Sequence, residues 1–127
     1  MAQPVKVDKN KGNVSWSIEV DNLMVAIYDG IVKDKNNQVH DHWGNQDTYD
    51  NQADIFDINR LSVPALIGGR LIVSAIVIDP SDKGGNYTAI IKFFQQGTQI
   101  GNSYIFPGTV SAGHGADSRF ADIFKFQ

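Results

Sequence analysis

The chain of 127 residues contains no cysteine. This absence excludes disulfide bonds, catalytic thiolates and cysteine-ligated metal centres. It fits a cytoplasmic protein and equally one that is exported without oxidative folding. No positively charged segment followed by an apolar run comes after Met1, so we expect no classical signal peptide. The sequence therefore leaves the compartment open between these two.

Long hydrophobic runs are also missing. The longest, from Leu71 to Ile78, is interrupted by Ser74 and falls well short of the roughly 20 residues of a membrane-spanning helix. We therefore predict no transmembrane segment.

The chain lacks an excess of positive charge, since its formal net charge is −3. Proteins that bind nucleic acid usually carry a basic face, so nucleic acid is not predicted as a partner. Apart from Lys6, Lys9 and Lys11, the basic residues are scattered along the sequence. This scatter does not favour an anionic membrane as a partner either.

A persuasive amphipathic helix is absent, and short alternating segments take its place. Residues Val14 to Val20 alternate strictly between apolar and polar, which predicts a strand with one buried face. Pro64 excludes a central strand around residues 61–67, because proline cannot donate to a ladder. About seven to nine strands with turn signals between them predict an all-β fold. We expect an antiparallel β-sandwich over residues 13–127 after an N-terminal arm over 1–12, with a barrel as the alternative.

Two segments are apolar on both faces, and we expect them to be central strands. They are Leu71 to Ile78 and Tyr87 to Phe94, and the turn residues between them predict a β-hairpin. In the last strand Asp122 shares the face of three phenylalanines, which predicts either a bulge or a partner for Asp122 at the rim.

The stretch from His40 to Asp54 is polar, holds two aromatic residues and shows no hydrophobic period. We interpret it as a long loop at one end of the sandwich, where binding residues are often found. An aromatic ring stacks on sugar C–H groups, while carboxylates and amides bond the hydroxyl groups. The predicted ligand-binding residues are Trp43, Tyr49, Asp47, Asp50 and Asn51.

The same stretch suggests a metal site. In an extended segment His40 and His42 point to the same side, and Asp54 is a candidate third ligand. Oxygen ligands of the kind that calcium prefers occur here and in the 79–86 turn. The sequence requires no cofactor but leaves calcium or zinc open as a bound ion.

Catalytic motifs are weak. Ser111, His114 and Asp117 lie in one small-residue loop, but triads are assembled from separated segments and no Gly-x-Ser-x-Gly occurs. We therefore do not predict an enzyme, and a hydrolase ranks third among the functional hypotheses.

The leading hypothesis is a non-enzymatic, lectin-like module that binds a carbohydrate or cell-surface ligand. The alternative is a small membrane-active or partner-binding toxin component that uses Phe94, Tyr104 and Phe106 as exposed aromatic side chains. Binding modules of this kind often gain avidity by pairing, so a homodimer is also an expectation.

Overall fold

The computed structural model describes residues 2–50 and 52–127. Within these ranges the chain forms nine strands and one short helix. In chain order they are β1 (Gln3–Val5), β2 (Val14–Val20), β3 (Val25–Lys33), β4 (Val39–Asp47), β5 (Asp54–Asp57), α1 (Val63–Leu66), β6 (Arg70–Ile78), β7 (Gly85–Gln95), β8 (Thr98–Val110) and β9 (Asp117–Phe126).

The strands form two packed sheets, which confirms the predicted all-β sandwich; the sheets do not close into a barrel. The five-stranded sheet has the order β1-β9-β6-β3-β4, and the four-stranded sheet has the order β5-β2-β7-β8. All pairs are antiparallel except β1 with β9. Among the described residues, no helix combines the length and the apolar character needed to span a bilayer.

The alternation in β2 is confirmed. Val14, Trp16 and Ile18 are fully buried, and the strand lies between β5 and β7. Ser17 on the opposite face is buried as well, and Val20 at the end of the strand is half-buried. The Pro64 prediction also holds, because residues 63–66 form α1 instead of a strand. The Ser62 hydroxyl caps this helix by accepting a hydrogen bond from the Ala65 amide at 3.3 Å.

The central position of β6 is confirmed, but the predicted hairpin between β6 and β7 is wrong. The two strands lie in different sheets, so the turn after Ile78 crosses the sandwich from one sheet to the other. The turn residues between β6 and β7 are compatible both with a hairpin and with a connection between sheets. In the second arrangement each strand buries one face against the common core. The hairpin partner of β7 is β8, joined through Gln96 and Gly97, which both have positive φ.

Part of the predicted N-terminal arm joins the five-stranded sheet as β1. Val5 and Val7 are buried, and Gln3 Nε2 donates to Asp122 Oδ2 at 3.1 Å. The carboxylate of Asp122 therefore has its partner at the rim, as one of the two sequence interpretations requires.

The prediction of one long loop over residues 40–54 is wrong, because its first part is the edge strand β4. This strand pairs with β3 along its length, with two irregularities in register. Backbone hydrogen bonds to β3 form whatever the side chains are, so a polar sequence is tolerated at the edge. Asp41 faces inward and is buried, whereas His42 is exposed on the outer face.

Aromatic side chains fill both open sides of the sandwich. One cluster consists of Trp16, Tyr28, Trp43 and Phe56, and the other of Phe93, Tyr104, Phe106, Phe120, Phe124 and Phe126. Tyr104 and Phe106 are half-buried and pack against the core. The expectation that they are exposed aromatic side chains is therefore not met for these two residues.

Candidate functional site

Four connections lie together at one end of the sandwich because antiparallel strands reverse direction at each turn. They are residues 21–24, 48–50 with 52–53, 79–84 and 111–116, which we call the acidic end. Seven carboxylates lie in these connections or at the adjoining strand ends: Asp21, Asp47, Asp50, Asp54, Asp79, Asp82 and Asp117.

The aromatic side chain of Tyr49 stands out at this end, with 54% of its surface exposed. Its neighbour Thr48 is buried and anchors the loop to β3. The Thr48 amide donates to the Ala26 carbonyl at 3.1 Å, and the Thr48 hydroxyl accepts from the Ala26 amide at 3.0 Å. Asp47 Oδ1 accepts from the Tyr49 amide at 3.2 Å, which closes a local turn. The backbone that carries Tyr49 is thus held in place on its N-terminal side.

Tyr49 lines a cleft of about 400 Å³ with the β6–β7 turn and the β8–β9 connection, including Asp79, Asp82, His114 and Asp117. The Asp79 carboxylate serves its own turn, since it accepts from Ser81 and from the Gly84 amide. These bonds lower the pKa of Asp79. Asp82 lies 3.7 Å from His114 Nδ1, and both side chains are largely exposed to solvent.

On the other side of the Tyr49 loop, a polar cleft of about 300 Å³ is lined by Asn45, Gln46, Asp47 and Asp54 among others. Here the Tyr28 hydroxyl donates to Asp54 Oδ2 at 2.5 Å. Burial raises the pKa of Tyr28, and the bond to Asp54 raises it further. The pKa of Asp54 is also raised by burial, with the charges of Asp50 and Asp47 adding to the effect; the Tyr28 hydrogen bond opposes it.

The structure places Trp43 away from Tyr49. Its ring lies 5.6 Å from Trp16 and 5.3 Å from Phe56, centroid to centroid, on the inner face of β4. The two predicted stacking residues therefore have different surroundings: Trp43 is half-buried in the aromatic cluster, whereas Tyr49 is 54% exposed.

The remaining predicted ligand-binding residues lie in or beside the Tyr49 loop. Asp47 supports the loop as described, and Asp50 Oδ1 accepts from the Gln52 amide at 3.1 Å. Asn51 lies outside the described residues.

The structure does not bring the predicted metal ligands His40, His42 and Asp54 together. His40 Nε2 lies 2.7 Å from Asp34 Oδ2 in the β3–β4 hairpin, at the opposite end of the sandwich from Asp54. His42 is exposed opposite Ile31. Within residues 2–50 and 52–127, no group of three or more potential ligands is arranged to hold a metal ion.

The candidate triad shows no catalytic arrangement in the described chain. His114 faces Asp82, and Asp117 lies 3.6 Å from Arg119, with no hydrogen bond joining Ser111, His114 and Asp117. All three residues are exposed.

Sequence reasoning missed two features of this site. The first is the anchoring role of Thr48, which no sequence motif indicates. The second is the cleft that Tyr49 and Asp82 line together, because their loops are far apart in the chain and no local pattern predicts that they meet.

Comparison of the chain with protein-family models, curated proteins and solved structures found no match.

Proposed function

We propose that this protein is a non-enzymatic, lectin-like binding module that recognises the hydroxyl groups of a carbohydrate at the acidic end. The observation that carries the proposal is the exposed ring of Tyr49 beside a carboxylate-lined cleft. An aromatic face stacks on the C–H groups of a sugar ring, and carboxylate oxygens accept hydrogen bonds from its hydroxyl groups.

The chemistry of the cleft supports the assignment of roles. Tyr49 supplies the stacking surface, whereas Asp82 and Asp117 supply acceptors on two other connections. The Asp79 carboxylate already holds its own turn, so its role is to shape the cleft. Because Thr48 fixes the loop in advance, little conformational entropy is lost when a ligand binds.

A glycan array with the full chain tests the proposal. We expect binding to a defined set of glycans, and we expect Tyr49→Ala to weaken it by about two- to tenfold, since a stacking contact contributes roughly 0.5–1.5 kcal/mol. Leu23→Ala is the matched control, because Leu23 is 75% exposed at the same end but lies outside the cleft. Trp43→Ala would not be a clean test, since it also removes a core contact.

Two results would contradict the proposal. One is the absence of binding to any glycan by folded protein. The other is equal binding by the wild type, Tyr49→Ala and an Asp82→Asn, Asp117→Asn double variant that all keep the wild-type circular dichroism spectrum.

A further inference from the structure

Three cationic residues lie directly opposite one another on neighbouring strands of the five-stranded sheet. Lys33 pairs with Arg70, and Arg70 pairs with Lys125. Their chain neighbours Val32, Leu71 and Phe124 are buried, so the alternation of side chains places this cation row on the outer face. In the described part of the chain, no carboxylate oxygen lies within 4 Å of their side-chain nitrogens. The Arg70 guanidinium donates to the side-chain oxygen of Asn37 instead. Like charges directly opposite one another destabilise a sheet, and no ion pair offsets that cost for these three residues.

An aliphatic row follows immediately on the same face. It consists of Ile31, Ile72 and Ile123, which are paired across the same three strands. This isoleucine row lies two residues further from the β3–β4 hairpin than the cation row does. Ile123 is 38% exposed, and Ile27 further along the face is 37% exposed. The exposed residues Asp29, Ser74 and Ala121 form the next row and separate Ile27 from the isoleucine row. The outer face of this sheet therefore presents a row of cations beside one row of isoleucines.

The wider charge distribution supports an anionic occupant. We call the end of the sandwich opposite the acidic end the basic end. It holds eight of the eleven Lys and Arg residues and four of the fourteen Asp and Glu residues, which gives it a net charge of +4. The rest of the chain holds three basic and ten acidic residues, which gives it a net charge of −7. The eight are Lys6, Lys9, Lys11, Lys33, Lys35, Arg60, Arg70 and Lys125, and the four acidic residues are Asp8, Asp34, Asp41 and Asp57. A basic end of this kind orients the molecule toward a negative surface despite the net negative charge of the chain.

We propose that the cation row and the isoleucine row together dock on the surface of an anionic lipid bilayer. The cations meet the headgroup charges, and the isoleucines reach the boundary with the acyl chains. The aliphatic row favours lipid over nucleic acid, because nucleic-acid surfaces without sequence preference are bound through basic grooves and stacking aromatic rings. This surface is separate from the Tyr49 cleft, so the inference does not rest on the proposed carbohydrate function.

Vesicle flotation of the full chain at physiological ionic strength tests the proposal. We expect binding to vesicles of phosphatidylcholine with phosphatidylserine and none to phosphatidylcholine alone. A Lys33→Gln, Lys125→Gln double variant should bind at least about tenfold more weakly, since each basic residue near the surface contributes to attraction. The matched control is Lys83→Gln, Lys92→Gln, which makes the same change in net charge, from −3 to −5, away from the face. It should bind like the wild type.

A second pair of variants tests the isoleucine row. Ile123→Ser should weaken binding, whereas Ile105→Ser should not, because Ile105 is 59% exposed on the outer face of the other sheet. Circular dichroism and melting temperature establish that each variant is folded. No binding of the wild type to anionic vesicles would overturn the proposal. So would an equal effect of the two lysine double variants, wild-type binding by Ile123→Ser, or burial of this face in a dimer of the free protein.

Discussion

The hydroxyl of Tyr28 donates a 2.5 Å hydrogen bond to the carboxylate of Asp54 and so joins the two sheets of the sandwich beside the Tyr49 loop. Tyr28 belongs to β3, in the five-stranded sheet, and Asp54 begins β5, at the edge of the four-stranded sheet. The bond fixes the point where the β4–β5 loop re-enters the fold. The loop that carries Tyr49 is therefore held at both ends, by Thr48 and by Asp54.

Two substitutions of Asp54 should distinguish the contribution of its hydrogen bond to stability from the contribution of its charge. Asp54→Ala leaves the hydroxyl of buried Tyr28 without this acceptor and should cost about 1–3 kcal/mol of unfolding free energy. Asp54→Asn keeps an acceptor and should be at least as stable as the wild type at pH 7. Urea unfolding at 25 °C measures both, and equal stability of the two variants would contradict the inter-sheet role of this bond.

The pH dependence at Asp54 has a defined sign. Its pKa is raised in the folded protein, so folding favours the protonated form. The stabilising contribution is present below the ordinary pKa of 3.8 and is lost as pH rises through the folded value. Relative to Asp54→Asn, the wild type should therefore lose stability over this range. Parallel pH series of thermal melts for the two proteins measure the difference, which should vanish if the carboxylate titrates normally.

Gly30 provides the space for the ring of Trp16. A Cβ atom at Gly30 would lie 2.6 Å from the Trp16 ring and 3.3 Å from the Trp43 ring. Gly30→Ala should therefore destabilise the fold by about 1–3 kcal/mol through overpacking. Gly44→Ala is the control, because its nearest contact would be an ordinary 3.5 Å to His42. Chemical denaturation should show a clearly smaller change for Gly44→Ala, and the reverse order would contradict this packing.

The hydroxyl of Thr48 should matter for both stability and binding. Thr48→Val nearly preserves the shape of the side chain but removes the acceptor for the amide of buried Ala26. We expect a loss of about 1–3 kcal/mol in unfolding free energy together with weaker glycan binding. Thr48→Ser, which keeps the hydroxyl, should retain most of both. Hydrogen exchange at the Ala26 amide gives a direct readout, and unchanged protection in Thr48→Val would show that the bond does not anchor the loop.

Metal removal should leave the fold unchanged. The ring of His40 is held by Asp34, and the carboxylate of Asp54 is held by Tyr28, so these predicted ligands are engaged by protein groups. We expect the same melting temperature with EDTA, with added zinc and with added calcium. An ion that binds only the folded state must raise that temperature. A rise with either metal would revive the metal hypothesis and direct attention to the acidic end.

The sequence alone determined the features that depend on local periodicity. The alternation in β2, the buried character of β6 and β7 and the absence of a central strand at Pro64 all follow from side-chain size, branching and backbone restriction. The helix α1 itself was not predicted. These properties of side chains and backbone decide which side chains of a strand face a core. They do so in any arrangement of the strands, so they do not determine which strands are neighbours.

Only the tertiary structure decided what lies next to what. Polar β4 is a strand because β3 offers it an unpaired edge, and β6 and β7 part into different sheets because burial against a common core competes with hairpin pairing. Lysines and arginines that are scattered in sequence meet at one end because antiparallel strands return their turns to the same place. Trp43 and Tyr49 are six positions apart, a spacing that would place both on the same face of one continuous strand. Because β4 ends between them, Trp43 faces inward whereas Tyr49 faces solvent. Hydrogen bonding between distant segments sets these relationships, and no local pattern encodes them.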